Sequence, residues 1–202
     1  MVSASVAPSD VSVVALQFPW SRKDTHDDDP YWDFFIKTPP ADLTNTVTEL
    51  LRNAPAGNVF PTPADIHTPE ITAQHVKELA RYLGAELVGI ARLVANGTSN
   101  PDDYPFAVLC AVRAEYDPRV SPGIGGQVPV QNGLFITFVL SAWIRELGFR
   151  ASVEPHLEAE TLAVQAGLGT LNAEGRFVTP QFGAQVYIAD AICTDLPLIA
   201  DG

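Results

Sequence analysis

The residues with the clearest chemical potential are glycines. Gly167-Leu168-Gly169 is followed by Thr170-Leu171-Asn172, then Gly175, then Thr179-Pro-Gln-Phe182-Gly183. One glycine of such a pair ends a helix. The second, and the glycine of the next turn, let a ligand approach the backbone closely. Two ordinary turns would explain the same residues. A second cluster, Gly123-Ile-Gly125-Gly126, precedes a long apolar segment. Glycines at a helix start can present backbone N–H groups to a phosphate. No Gly-Lys-Ser/Thr follows and no strand leads directly in, so neither the P-loop nor the dinucleotide fingerprint is met. A flexible loop is the plainer reading.

The other candidates carry less. His26 stands beside Asp27, Asp28 and Asp29, where a metal site competes with a solvated linker. His67 precedes a helix and His75 lies within it. His156 sits in Glu154-Pro-His-Leu-Glu-Ala-Glu160, a loop leading into a helix with an acidic first turn, as the helix dipole favours. Glu154, Glu158 and Glu160 could serve as acid or base, but helix-start acidity accounts for them more simply. Ser121 and Ser141 lack a nucleophile elbow. Cys110 and Cys193 are the two cysteines, each in an apolar strand-like run. A cubane iron–sulfur cluster needs about four thiolates, so these read as buried thiols acting as small hydrophobes.

The elements that must position these residues follow from pattern. Val11 to Phe18 reads as a strand, Tyr31 to Ile36 as an anchored aromatic segment, and Asp42 to Asn53 as a helix with Leu43, Val47, Leu50 and Leu51 on one side. Prolines 55, 61, 63 and 69 mark an extended connection. Residues 1–67 are thus expected to form an arm or cap on a domain spanning 68–202. That domain opens with Thr68 as N-cap and Pro69 at the first helical position. Glu86 to Ala91 and Phe106 to Val112 read as strands, the second apolar on both faces and so central. A helix is expected from Gln131 to Leu147, heavily buried, then a strand from Arg150 to Val153 and a helix from Glu158 to Ala166. Arg176 to Thr179 and Gln185 to Ala191 are the closing strands. This order lacks a regular βα alternation and predicts an α+β layered fold.

Composition narrows the partners. The 202 residues carry a net charge of -12 and are 47% hydrophobic, enough for a sizeable core. An acidic surface repels phosphate backbones, so neither nucleic acid nor an anionic membrane is an expected partner. The longest apolar run, Leu134 to Ile144, is short of the roughly 20 residues a membrane span needs. The first residues lack the basic and apolar regions of a signal peptide. A cytoplasmic protein is expected.

Several phrases, in order, resemble one family. Thr68 to Leu93 is similar to a helix, glycine and strand found at the start of the core in cobalamin-dependent reductive dehalogenases and epoxyqueuosine reductases. Phe106 to Tyr116 resembles their next strand, and Phe135 to Phe149 their long helix. The tail is the most specific part: Ala166-Gly-Leu-Gly169, Gly175, Thr179-Pro-Gln-Phe-Gly183 and Thr194-Asp-Leu-Pro-Leu198. The resemblance covers roughly residues 68–198. It implies a nitroreductase-like core holding a base-off cobalamin. The implied lining is Gly167, Leu168, Gly169, Thr170, Leu171, Asn172, Thr179, Phe182 and Gly183, with Gly125 and Gly126 nearby. His156 would be the candidate cobalt ligand, as a neutral imidazole.

The departures limit the chemistry. The sequence ends four residues after Leu198, where the family continues into cysteines that hold iron–sulfur clusters. Val130 stands where the dehalogenases carry a Tyr, Ala173 where they carry a Lys, and Val153 where the epoxyqueuosine reductases carry an Asp. Reduction of a carbanion-like intermediate needs a placed acid. The expectation is a corrinoid-binding protein without clusters or the family's proton donors: a carrier, a sensor, or an enzyme fed electrons by a separate reductase. The alternatives are a flavin mononucleotide enzyme of nitroreductase type and a cofactor-free partner subunit.

Overall fold

In the computed structural model, the described residues are 30–38, 42–94 and 102–202. The expected Val11–Phe18 strand and the His26–Asp29 cluster lie outside them. Two helices come first, α1 (Pro30–Lys37) and α2 (Asp42–Arg52). The main body then runs α3 (Pro69–Tyr82), β1 (Leu87–Arg92), β2 (Phe106–Arg113), α4 (Ile124–Glu146), β3 (Ala151–Glu154), α5 (Ala159–Gln165), β4 (Thr170–Leu171), β5 (Phe177–Val178), β6 (Val186–Ile188) and β7 (Ala191–Thr194). This is an α+β fold, as expected.

β2 is the centre of the molecule. Its run Phe-Ala-Val-Leu-Cys-Ala-Val is buried throughout, because both faces of the sheet are covered. Side chains alternate along a strand. Phe106, Val108, Cys110 and Val112 therefore meet Val76 and Ala80 of α3 and Ile136, Leu140 and Ile144 of α4. Ala107, Leu109 and Ala111 meet Ala163 and Ala166 at the other face. All pairings are antiparallel: β1 lies on one side of β2, with β7 and then β3 on the other.

The expected closing strand Gln185–Ala191 is two strands. β6 pairs with one half of β2 and β7 with the other. Between the pairs Val108–Ile192 and Ala111–Ile188, residues 109 and 110 of β2 face residues 189, 190 and 191. Three residues against two is a β-bulge. A continuous apolar reading could not show it, because the break is one residue long.

α4 also differs from expectation. It begins at Ile124, not Gln131, and carries Pro129 inside. Gly125 and Gly126 therefore belong to its first turn. A Cβ on Gly126 would collide with the Ser121 carbonyl, so this glycine closes a loop-to-helix contact. At 23 residues, α4 is, among the described residues, the one helix long and apolar enough to cross a membrane. Here it is the core helix, packed on β2, β3, β6 and β7. Phe135 and Phe138 are nonetheless partly exposed. Thr68 makes no side-chain capping bond. In the leading helices, Tyr31, Phe34 and Leu50 are exposed, while the Ile36 carbonyl accepts from the Gly123 amide at 2.7 Å.

Candidate functional site

A cavity of about 570 Å³ lies at the free edge of β3, between α4 and the segment 51–56 that leaves α2. Leu51, Leu134, Phe138 and Val153 give it apolar walls. Its polar groups come from three directions. α4 contributes Thr137, Ser141 and Arg145, spaced four residues apart and so stacked on one face of the helix. β3 and its exit contribute Ser152 and His156. The bulge contributes Asp190. The pairing Glu154–Ala191 brings the end of β3 beside the bulge, which is how His156 and Asp190 come to share one cavity.

Electrostatics divides these groups into two sets. Burial lifts the Asp190 carboxyl above its usual range, with the Arg52 and His156 charges pulling it back. Burial and the nearby Asp190 raise the Tyr187 phenol, with Arg52 opposing. Asp190, Tyr187 and Arg52 thus lie close enough to act on one another, and His156 on Asp190. Arg145 stands apart. It is only 6% exposed. One Nη1 donates to the Ala151 carbonyl at 2.9 Å, while Nε has no hydrogen-bond partner among the described residues. Burial lowers its pKa.

The glycine segment is a separate structure on the opposite face of the sheet. α5 ends at Gln165, and the Gly167 and Leu168 amides return to the Val164 and Ala163 carbonyls. This is the terminating pattern that puts a left-handed glycine after a helix, here Gly167 at φ 72°. β4 and β5 then form a small hairpin. Asn172 Oδ1 accepts from the Glu174 and Arg176 amides at 3.0 and 2.9 Å. Thr179 and Gly183 exchange backbone bonds, and the Phe182 amide donates to Thr179 Oγ1. The amides of Gly167, Leu168, Asn172, Thr179, Phe182 and Gly183 are therefore satisfied internally. A Cβ on Gly169 would strike the Val178 carbonyl and the Phe177 ring, so this glycine serves hairpin packing. The exposed positions of the segment include Thr170, Leu171 and the open glycines Gly167, Gly175 and Gly183.

None of these glycine-segment residues lines the cavity, nor do Gly125 and Gly126; His156 does. The sequence reading missed Arg145 and Asp190. Both had a visible signal: a Thr137–Ser141–Arg145 stripe in an apolar helix, and one aspartate inside an apolar strand run. Cys110 and Cys193 are free and buried, and burial pushes each thiol up to about 12. They are neither nucleophiles nor thiolate ligands at neutral pH. No group of three or more potential metal ligands occurs among the described residues.

No known family's sequence profile matches the chain, and no curated protein matches it. Solved structures do. A reductive dehalogenase, described as bearing on a mechanism for B12-dependent dehalogenation, superposes with a TM-score of 0.62 at 25% identity, over 78% of this chain and 23% of that one. The catabolic reductive dehalogenase NpRdhA, as a tagged variant, gives 0.63 at 26% identity over the same shares. An epoxyqueuosine reductase bound to a tRNA stem loop gives only 0.43 at 16%, too distant to carry weight. The chain is thus related in structure to reductive dehalogenases and spans about a quarter of the length of those it matches.

Proposed function

We propose that this chain is a corrinoid-binding protein of reductive-dehalogenase type, with residues 68–202 as the binding core and residues 1–67 as a cap. The observation that carries the reading is the superposition on B12-dependent dehalogenases over 78% of the chain. Two helices on one face of an antiparallel sheet and one on the other are compatible with nitroreductase-like layering. The ordered motifs of the Gly167–Leu198 segment point the same way.

The residues fit a corrinoid by shape more than by donors. Leu171 is 44% exposed, and the open glycines beside it leave room for a broad, partly apolar ring to lie against the hairpin. Base-off binding fits apolar contacts of this kind. The cofactor would supply the redox chemistry, and a separate reductase the electrons. This chain's own part is to hold and orient the ring. Val130, Val153 and Ala173 leave no acid at the three positions where the resemblance would place a functional polar group.

The test is the visible spectrum of the protein after incubation with cobalamin and gel filtration, with flavin mononucleotide as the parallel sample. A retained base-off corrinoid spectrum is expected, and Leu171→Asp should reduce retention about tenfold. Flavin retained while cobalamin washes off would replace this reading with the flavin one. Leu171 is the better probe than Gly169, whose replacement disturbs the hairpin itself.

A further inference from the structure

We infer that the free edge of β3 is a docking site for a short extended peptide, which pairs with Val153 and sets an apolar side chain in the cavity between α2, α4 and β3. The phase of the strand decides which residues look outward. The Asp195 amide donates to the Arg150 carbonyl at 3.3 Å, so Arg150 turns its backbone groups toward the β7 side. Alternation along an antiparallel pair turns those of Ser152 and Glu154 the same way, and those of Ala151 and Val153 outward. Arg145 agrees with this phase, since its Nη1 reaches the Ala151 carbonyl from α4 at 2.9 Å. That bond closes one end of the edge. Pro155, which has no N–H, closes the other. Between them Val153 directs an N–H and a C=O outward, and neither has a partner among the described residues.

Hydrogen bonding and shape set the class of occupant. An outward N–H and C=O on one residue match the C=O and N–H of one extended residue laid opposite. The hydroxyls of the wall do not compete as donors. Thr137, Ser141 and Ser152 already donate to the Leu134 carbonyl, the Phe138 carbonyl and the Glu154 carboxylate. Directly opposed residues share a face of the sheet. Val153 packs on the core cluster that holds Ile136, Leu140 and Ile144 of α4. A side chain opposite Val153 therefore points to the α4 side, where Leu51, Leu134 and Phe138 line the cavity. An aliphatic side chain such as that of leucine suits those walls, and a volume of about 570 Å³ suits a short ligand. This inference does not depend on a corrinoid.

Calorimetric titration of the full chain tests it with N-acetyl-leucine N-methylamide. Two counterparts are compared: the ester with oxygen in place of the leucine N–H, and the asparagine analogue, similar in shape but polar. The leucine amide should bind, and each counterpart should bind about tenfold more weakly. Val153→Pro removes the outward N–H at a position where an edge strand tolerates proline. It should fold, by circular dichroism, and lose about tenfold in affinity. Ser152→Pro removes a ladder bond and should unfold the sheet edge. Ala54→Phe, which fills the cavity from its loop wall, should also weaken binding. If Val153→Pro does not fold, the ester comparison and Ala54→Phe decide. The inference is overturned if the leucine amide does not bind below about 10 mM, if the ester or the asparagine analogue binds as tightly, or if affinity survives in the folded variants. A parent that runs as a dimer on gel filtration, with Val153→Pro a monomer, would put a second copy on this edge and overturn it as well. Cobalamin retention, read separately, tells failure here from failure of the corrinoid reading.

Discussion

Asp117 shows how one carboxylate ties three segments together. Arg119 donates to it from its backbone amide and side chain, at 3.0 and 3.1 Å. Arg176, from the hairpin, reaches it at 2.8 Å. Arg119 extends to Glu160 of α5 at 3.7 Å. Burial opposes ionisation of Asp117, but the Arg119 hydrogen bonds and the two guanidinium charges outweigh it and hold the pKa below the usual value. With the folded pKa below the unfolded one, the stabilisation is fully present above the unfolded value, near 3.9. It is lost as pH falls through the folded value. Asp117→Asn is expected to cost on the order of 1 kcal/mol at pH 7. The difference from the parent should shrink in urea titrations taken progressively below about pH 4. A difference that stays constant with pH would remove the charge explanation. None of this network was legible in the sequence, since Asp117, Glu160 and Arg176 are brought together only by the hairpin folding back on the loop before α4.

At the scale of elements, the bulge at Asp190 is the most instructive feature. Ile188 and Ala191 face α5, while Ala189 and Ile192 face α3 and α4. If residue 190 is left out, 188, 189, 191 and 192 alternate regularly between the two faces. Asp190 is an extra residue carried by a strand that is otherwise in phase. Deleting Asp190 is therefore expected to preserve the fold, with cooperative unfolding and an unchanged far-ultraviolet spectrum, while altering the cavity. Deleting Cys110, in the middle of β2, should turn half of that strand to the wrong face and abolish folding. Equal damage from both deletions would mean that the bulge itself is structural. This contrast explains what was readable. β2, β1, β3 and α3 were legible because burial on both faces, or period-3.6 patterning, leaves a direct trace. The bulge and the early start of α4 were not, because a glycine-rich turn such as Gly123–Gly126 is compatible with loop and helix alike, and only the Ser121 contact decides.

At the scale of the whole molecule, the sheet separates two surfaces. α3 and α4 lie on one side, with the cavity at their β3 end; α5 and the β4–β5 hairpin lie on the other. The glycine motifs that made the family resemblance legible belong to the second surface. The polar stripe of α4 and the bulge aspartate belong to the first, and no single stretch of sequence contains that cavity. It is assembled from residues 51–56, 134–145, 152–156 and 190. Sites on opposite faces that share no side chain should behave independently, within about 0.5 kcal/mol. Leu171→Asp is then expected to weaken cobalamin retention about tenfold, and Arg145→Met to leave it unchanged. If Arg145→Met instead lowers cobalamin retention as much as Leu171→Asp does, the ligand reaches around the β3 edge and the two surfaces form one extended site, with Asp190 and His156 at its junction.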